Sequence, residues 1–412
     1  MAKRIVFCAD GTWDGAGGEN ETQGANPSNV LKLFNLLAGA LSVGTPTDPE
    51  QERQSLPDGN LGQIAKYIHG VGNSSNWLVQ KMGGGVGTGL IARVLRGYTF
   101  ISRNHQTCDP PDAIFLNGFS RGAYTARALG GFISTMGLLD WRALNLNPNA
   151  SDPMGYQYAA AAWYDYQQRR LSATRSPNWL SRLQSFVACM PELAPAFVLK
   201  PRYVSPVRIA AIAVWETVGA LGIPELTPDQ GARLDLLRFV DTALSTNVVH
   251  GIHAIAADEQ RVDFTATLWD PDPRVTQCFF PGAHADVGGG YPSGQSQLSD
   301  MALGWMVSAL QSTGTGVQFS ATPAPMGSSL GPMHMPWTSA GFSIRPKAWR
   351  EFPAYGGPGA PIQISPGLRQ RLRQTVPCLT DTVPPATQPA PYVPVALVNA
   401  GYVDIGGITA RP

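Results

Sequence analysis

The sequence predicts an α/β fold, a mainly parallel sheet with helices on both faces and an inserted helical cap. Three observations carry this. Short apolar runs at 4–8, 113–117, 208–215 and 275–280 alternate with segments of helical spacing, which is how parallel βαβ units read. The run at 113–117 enters Gly118-Phe119-Ser120-Arg121-Gly122 and leaves into an alanine-rich helix. A serine, a carboxylate and a histidine then follow in chain order, each just past a strong strand: Ser120, Glu216 and His284.

Taken along the chain, residues 4–8 predict a buried first strand that ends at Asp10-Gly11-Thr12. Residues 14–28 are polar and rich in Gly and Asn, a surface loop, and Asn26-Pro27-Ser28 opens an amphipathic helix through Val30, Leu31, Phe34 and Leu37. Residues 43–60 predict a polar loop, 64–71 a strand, and 90–102 a helix behind the glycine cluster 83–89. The elbow helix runs from Ala123 to about Phe132. Residues 141–200 are rich in Tyr, Trp, Ala and Arg at helical spacing with no sheet partner, an insertion suited to a cap. Residues 228–258 and 298–312 predict helices, and weak strands fall near 340–346 and 391–404. The domain reading is a catalytic unit over 1–312, with 141–200 as its cap, and a Pro/Gly-rich extension over 313–412 packing on it.

Composition bounds the function. The 412 residues carry a net charge of +1 with no acidic or basic block, so nothing marks a nucleic-acid binder. Only 14% are charged, against roughly 25% in an average globular chain, which suits a protein that meets lipid and equally suits a large core. The five cysteines, Cys8, Cys108, Cys189, Cys278 and Cys378, are odd in number and widely spaced without C-x-x-C. A disulfide framework or zinc knuckle is not expected, and the fold forms in a reducing compartment. The basic start runs straight into the first strand, so no signal peptide is expected, and no run reaches the roughly 18 apolar residues of a membrane span. Neither cofactor nor metal is called for.

The chemistry gathers at Gly118-x-Ser120-x-Gly122. A serine on a tight strand-to-helix turn exposes its hydroxyl, and glycine two residues either side avoids steric clash there, the nucleophile elbow of α/β-hydrolase folds. Of six histidines, His284 alone directly follows a strong strand and lies in a glycine-rich turn, from which it reaches over the sheet edge as general base. His253 falls in the helix expected at 228–258 and reads as structural. Glu216, just past Trp215, is the orienting acid, with Asp241 and Asp286 as alternatives and Asp286 read as bracing its own loop. The oxyanion hole needs two backbone N–H donors. Arg121 supplies one, and the turn at Gly11 and Thr12 is the candidate for the other.

These segments resemble the hydrolase family typified by the phospholipase effectors of type VI secretion systems, catalogued as domain of unknown function 2235. The likeness runs from about residue 3 to 310, through FCADGTW at 7–13, GFSRGAYTAR at 118–127, VWETVGALG at 214–222, HAIAADEQR at 253–261, FPGAHADVGGGY at 280–291 and LSD at 298–300. The resemblance implies an α/β-hydrolase fold, a Ser-Asp-His triad and phospholipase A-type ester cleavage, with Ser120 and His284 on the matching positions. The family pattern has Asp where this chain has Glu216. It further implies a lipid ester substrate with peripheral membrane contact, export by a type VI-like secretion system after synthesis in the cytoplasm, and a secretion-system or immunity protein as partner.

Rival readings stand beside this one. Asp10-Gly11-Thr12 is similar to the turn of aspartyl-phosphate phosphatases, but their nucleophilic Asp would fall on Cys8. Gly85-x-Gly87-x-Gly89 has a phosphate-loop look without the Gly-Lys-Ser/Thr that should follow. A general carboxylesterase on soluble or polymeric esters and a catalytically inactive interaction module complete the set.

Overall fold

β1 (Arg4–Ala9) is almost wholly buried, five of its six residues being out of contact with solvent, so it sits inside a sheet covered on both faces. In chain order there follow α1 (Asn29–Leu36), β2 (Ala40–Val43), β3 (Glu50–Ser55), β4 (Gln63–Ile68), α2 (Val86–Asn104), β5 (Ala113–Phe119), α3 (Arg121–Met136), β6 (Leu138–Leu139), α4 (Pro153–Ala173), β7 (Tyr203–Val204), β8 (Ile209–Trp215), β9 (Val248–Ala256) and β10 (Val275–Phe280). The rest comprises α5 (His284–Gly288), α6 (Gln297–Ser312), β11 (Met333–Met335), β12 (Gln363–Ile364), α7 (Pro366–Arg371), β13 (Thr375–Thr380), β14 (Thr387–Pro391) and α8 (Val395–Asn399), ahead of the short pair Val403–Asp404 and Thr409–Ala410. This computed structural model describes residues 2–11, 26–46, 48–56, 62–70, 86–107, 109–148, 153–173, 196, 198–218, 242–314, 316–358, 362–382 and 384–411.

The main sheet has nine strands in the order β12-β10-β9-β8-β5-β1-β4-β3-β2. From β12 to β4 every neighbouring pair is parallel, and β3 and β2 close one edge antiparallel. Helices cover both faces. On one, Phe7, Leu116 and Ile212 pack against Leu95, Leu129, Phe132 and Trp163 of α2, α3 and α4. On the other, Val6, Phe115 and Trp215 meet Phe34 of α1 and Leu303 and Met306 of α6. A third cluster joins Phe279 of β10 to Ile364, Leu368, Tyr392 and Tyr402 from the C-terminal residues.

Several sequence expectations give way. The polar loop expected at 43–60 contains β3, which pairs with β2 and β4. Its Glu50 and Glu52 are tolerated because Lys66, Arg96 and Arg103 pair with them. Within the helix expected at 228–258, residues 248–256 form strand β9 instead, and 219–241 lie outside the described residues. Val-Val-His-Gly-Ile-His-Ala-Ile-Ala is apolar on both faces because β9 lies between β8 and β10, and such a run has no period by which to tell it from a helix. No strand forms at 340–346, and 391–404 holds α8 and a two-residue strand.

The described part of the 141–200 insertion packs beside the sheet. Trp163 and Tyr166 of α4 are buried against the ring of Phe132 in the second half of α3. Phe132 is twelve residues from Ser120 along a helix rising about 1.5 Å per residue, so this contact lies about 18 Å from the elbow. These two aromatics are core. Trp179, Leu180, Leu183 and Phe186 lie outside the described residues.

Candidate active site

Parallel strands place their carboxyl ends on one edge, and a crevice beyond that edge is where α/β folds bind ligands. Ser120 follows β5, Glu216 follows the adjacent β8, and His284 opens α5 beyond β10. The first two are pinned to their neighbours, Ser120 N–H donating to the Trp215 carbonyl at 3.1 Å and Glu216 N–H to that of Ala254 at 2.9 Å.

The turn at Ser120 is strained. Ser120 has φ 55° and ψ −121°, a conformation costing a non-glycine residue about 1–3 kcal/mol. The turn is also too tight for side chains. A Cβ on Gly118 would stand 2.2 Å from the Gly122 carbonyl oxygen, and one on Gly122 would stand 2.0 Å from that of Ala9. The G-x-S-x-G spacing is therefore set by backbone packed on backbone.

His284 Nδ1 donates to Glu216 Oε2 at 2.8 Å, and its backbone N–H donates to Glu259 Oε2 at 3.1 Å. Its ring lies between Phe119, 4.7 Å between centroids, and Phe264, 5.0 Å and edge-on. Phe119 is the residue before the serine, so the imidazole stands beside the elbow. Burial pushes the His284 imidazole below the usual histidine range, against the opposing pull of the Glu216 carboxylate. A buried, neutral imidazole with Nδ1 engaged leaves Nε2 as the acceptor.

Glu216 is completely buried and also has a positive φ, 49°. Oε1 accepts from Ala256 N–H at 2.6 Å and from Arg350 Nη1 at 2.9 Å, while Oε2 accepts from His284 and from Arg350 Nη2 at 2.8 Å. Burial alone would raise this carboxyl. The Arg350 guanidinium and the His284 hydrogen bond outweigh it and hold the group well below the usual carboxylate range.

The other sequence candidates separate by geometry. Asp286 accepts from Ala283 N–H at 2.9 Å, capping its own short helix, and pairs with His334 Nδ1 at 2.6 Å. Asp241 and Thr12 lie outside the described residues. Gly11 is beside the elbow, the position of a Cβ on it falling 3.2 Å from Ser120 Cβ, but its N–H donates to Asp10 Oδ1 at 2.7 Å. Arg121 is the first residue of α3, directly after Ser120. His253 is on β9, buried, with Nε2 accepting from Thr217 N–H at 3.2 Å, and burial first and Arg127 second push it down to about 3. It braces the loop carrying Glu216. Among the described residues no group of His, Cys, Asp and Glu is arranged to hold a metal ion.

Sequence reasoning missed the groups that hold these loops. Arg350 and His334 come from the C-terminal residues, as does Tyr392, whose hydroxyl donates to Asp258 Oδ2 at 2.8 Å while Gly282 N–H donates to the same oxygen at 2.7 Å. Glu259 is held at about 2 by Arg261, burial acting the other way. Arg261 in turn lies over the Phe264 ring at 3.6 Å. Of these, Asp258, Glu259, Arg261 and Gly282 lay in segments the sequence singled out, and Arg350, His334 and Tyr392 did not.

A parallel-stranded α/β sheet with a strained serine elbow and a buried carboxylate–histidine pair on one edge defines the α/β-hydrolase class. Residues 3–309 match the family model described as T6SS, phospholipase effector Tle1-like, catalytic domain, and the chain belongs to that family. An uncharacterized protein of Saccharomyces cerevisiae, YEL023C, is 25% identical over 288 residues, 67% of this chain and 34% of its own length. Two solved structures are similar at lower identity. An uncharacterized protein from Pseudomonas aeruginosa has a TM-score of 0.40 and 17% identity over 78% of this chain and 47% of its own. The Tle1 effector bound to the VgrG spike of the type 6 secretion system has a TM-score of 0.33 and 18% identity over 71% of this chain and 51% of its own. The chain thus spans about a third of the yeast relative and about half of each solved chain. No helix among the described residues is long and apolar enough to cross a membrane.

Proposed function

We propose that the protein is a serine esterase that cleaves carboxylic esters of phospholipids, in the manner of a phospholipase A. The observation that supports this best is the buried Glu216–His284 pair, 2.8 Å apart, on the same sheet edge as Ser120 in its positive-φ turn. In this reading His284 Nε2 takes the proton of Ser120 Oγ as the oxygen attacks the ester carbonyl. The tetrahedral oxyanion is met by the Arg121 N–H and by a second donor from the turn after β1, for which Thr12 is retained, the Gly11 N–H being engaged by Asp10. His284 returns the proton to the leaving alcohol, and water releases the acyl group by the same steps in reverse. Glu216 holds the imidazole and offsets its charge when protonated.

The domain reading goes with it: residues 1–312 form the catalytic unit, with 141–200 as its cap insertion, and 313–412 pack on it. The family described as type VI phospholipase effectors supports export by such a machine and a secretion-system or immunity partner as further parts of the proposal. A fluorophosphonate probe tests the core of it. Labelling should be lost in Ser120→Ala, together with at least about a thousandfold of turnover on short esters and phospholipid vesicles. Turnover retained by that variant excludes the triad, and a parent protein that hydrolyses short esters but not vesicles favours a general carboxylesterase.

A further inference from the structure

The acid of the site is completed from outside the segment that matches the catalytic-domain family. That match ends at residue 309, whereas the guanidinium on Glu216 belongs to Arg350. Every N–H of this guanidinium is used. Nη1 donates to Glu216 Oε1 and to the Ala256 carbonyl at 3.1 Å, Nη2 to Glu216 Oε2 and the Phe264 carbonyl, and Nε to the Phe264 carbonyl at 3.1 Å. One planar fork therefore joins three things: the triad acid, the end of β9, and the residue whose ring borders His284. A lysine could not span them, having one nitrogen and no fixed plane.

We propose that Arg350 is a positioning residue of the triad, which keeps Glu216 ionised and turned toward His284, so that the C-terminal residues are part of the active site. The inference rests on the serine-esterase reading. A carboxylate with no exposed surface is stable as an anion only if its charge is met by donors and a counter-charge. His284 cannot be that counter-charge in the resting site, because it must be neutral to act as base. Ala256 N–H is a single dipole. Arg350 is the full positive charge in contact with Glu216. Without it, burial drives Glu216 toward its protonated form, which no longer stabilises the imidazolium.

The remaining charges around the pair are accounted for. Glu216 faces Arg350, His284 and the neutral His253. His284 also faces Arg261 and Glu259, which pair with each other at 2.8 Å. Arg350 also faces Glu259, and Arg127 faces His253. With Arg261 and Glu259 neutralising one another, Arg350 decides the charge state of Glu216. The same C-terminal residues hold the histidine loop, through His334 on Asp286 and through Tyr392 and Asp258 on Gly282.

The test is the pH profile of kcat/KM on a short soluble ester for the full chain, Ser120→Ala, Arg350→Met and Arg350→Lys. In Arg350→Met, kcat should fall on the order of a hundredfold with KM little changed, and the acid limb should move up by about one pH unit or more, because Glu216 now protonates in the working range. Arg350→Lys, which keeps the charge but not the fork, should lose about tenfold in kcat. An Arg350→Met profile whose acid limb superimposes on the parent's overturns the proposal, whatever its height. Should Arg350→Met fail to fold, Arg350→Lys decides, and a parental kcat there overturns it. Ser120→Ala separates the two levels. If that variant is inactive and the Arg350 variants are unshifted, only this inference fails. If Ser120→Ala turns over, the triad reading fails and takes the inference with it.

Discussion

Asp286, two residues beyond His284, is hydrogen-bonded at 2.6 Å to His334 and not to His284. The pair is buried, His334 Nε2 reaches Gln295 Oε1 at 3.0 Å, and Tyr291 stacks on the His334 ring at 3.4 Å. Sequence proximity would have made Asp286 the natural partner of His284, and the turn of α5 prevents it. The helix points the Asp286 side chain back at its own N-cap, Ala283 N–H, so the histidine's acid comes from a strand end 68 residues earlier.

The two carboxylates should therefore fail differently. Glu216→Gln is expected to cost on the order of 10⁴ in turnover, by analogy with a triad Asp-to-Asn change. It also strands Arg350 without its anion, so about 3–5 kcal/mol of stability should go with it. Asp286→Asn should cost mainly stability, about 1–3 kcal/mol for a buried acceptor half lost, with a smaller fall in turnover. Thermal melts alongside kcat on a short ester check this. A larger loss of turnover from Asp286→Asn than from Glu216→Gln, both folded, reverses the assignment.

Activity should persist below the usual histidine range. The base form of His284 is the neutral one, and burial lowers its affinity for a proton. The acid limb of kcat/KM is therefore expected below pH 6.5, with Glu216 still ionised there because Arg350 holds it low. The same sign governs stability. His284 and His253 are lowered in the folded chain, the latter to about 3, so below pH 6.5 the unfolded chain takes up more protons and stability falls as pH falls. An acid limb above 7 in the parent enzyme contradicts this.

Asp258 should act in the opposite sense. Burial raises it to about 7 against the hydrogen bonds from Gly282 and Tyr392. The folded chain holds this proton where the unfolded chain has lost it, so the contribution is complete below 3.8 and is lost as pH rises toward 7. Asp258→Asn copies the protonated carboxyl and has nothing to lose. Its stability relative to the parent, from urea melts between pH 4 and 8, should rise with pH and level off above about 7. A constant difference across that range would show that Asp258 ionises normally.

The aromatics of the insertion should divide into two sets. Trp163→Ala opens a cavity between α3 and α4 and is expected to cost about 3–5 kcal/mol, with equal effects on all substrates. Trp179→Ser and Phe186→Ser test the proposed cap, and should spare a short soluble ester while lowering the rate on phospholipid vesicles severalfold, as aromatic side chains suited to an interface would. Equal effects on both substrates make that part of the insertion structural.

What the sequence determined was local. The strand, the G-x-S-x-G turn and the helix after it are contiguous, and near neighbours dictate most of it: apolar residues at 113–117, the backbone of Gly122 against Gly118, and helix formers beyond, while Gly122 itself is required by the distant backbone of Ala9. The order Ser120, Glu216, His284 was legible for the same reason, each residue ending a recognisable strand. Tertiary structure decided the rest. β9 was unreadable because burial on both faces erases the period that separates strand from helix, and β3 because its charges are paid for by Lys66, Arg96 and Arg103 from other elements. Arg350 left no local mark at all. It stands 134 residues from Glu216, and an arginine in an exposed-looking stretch becomes a buried counter-charge only once the chain after β10 has folded back across the sheet edge.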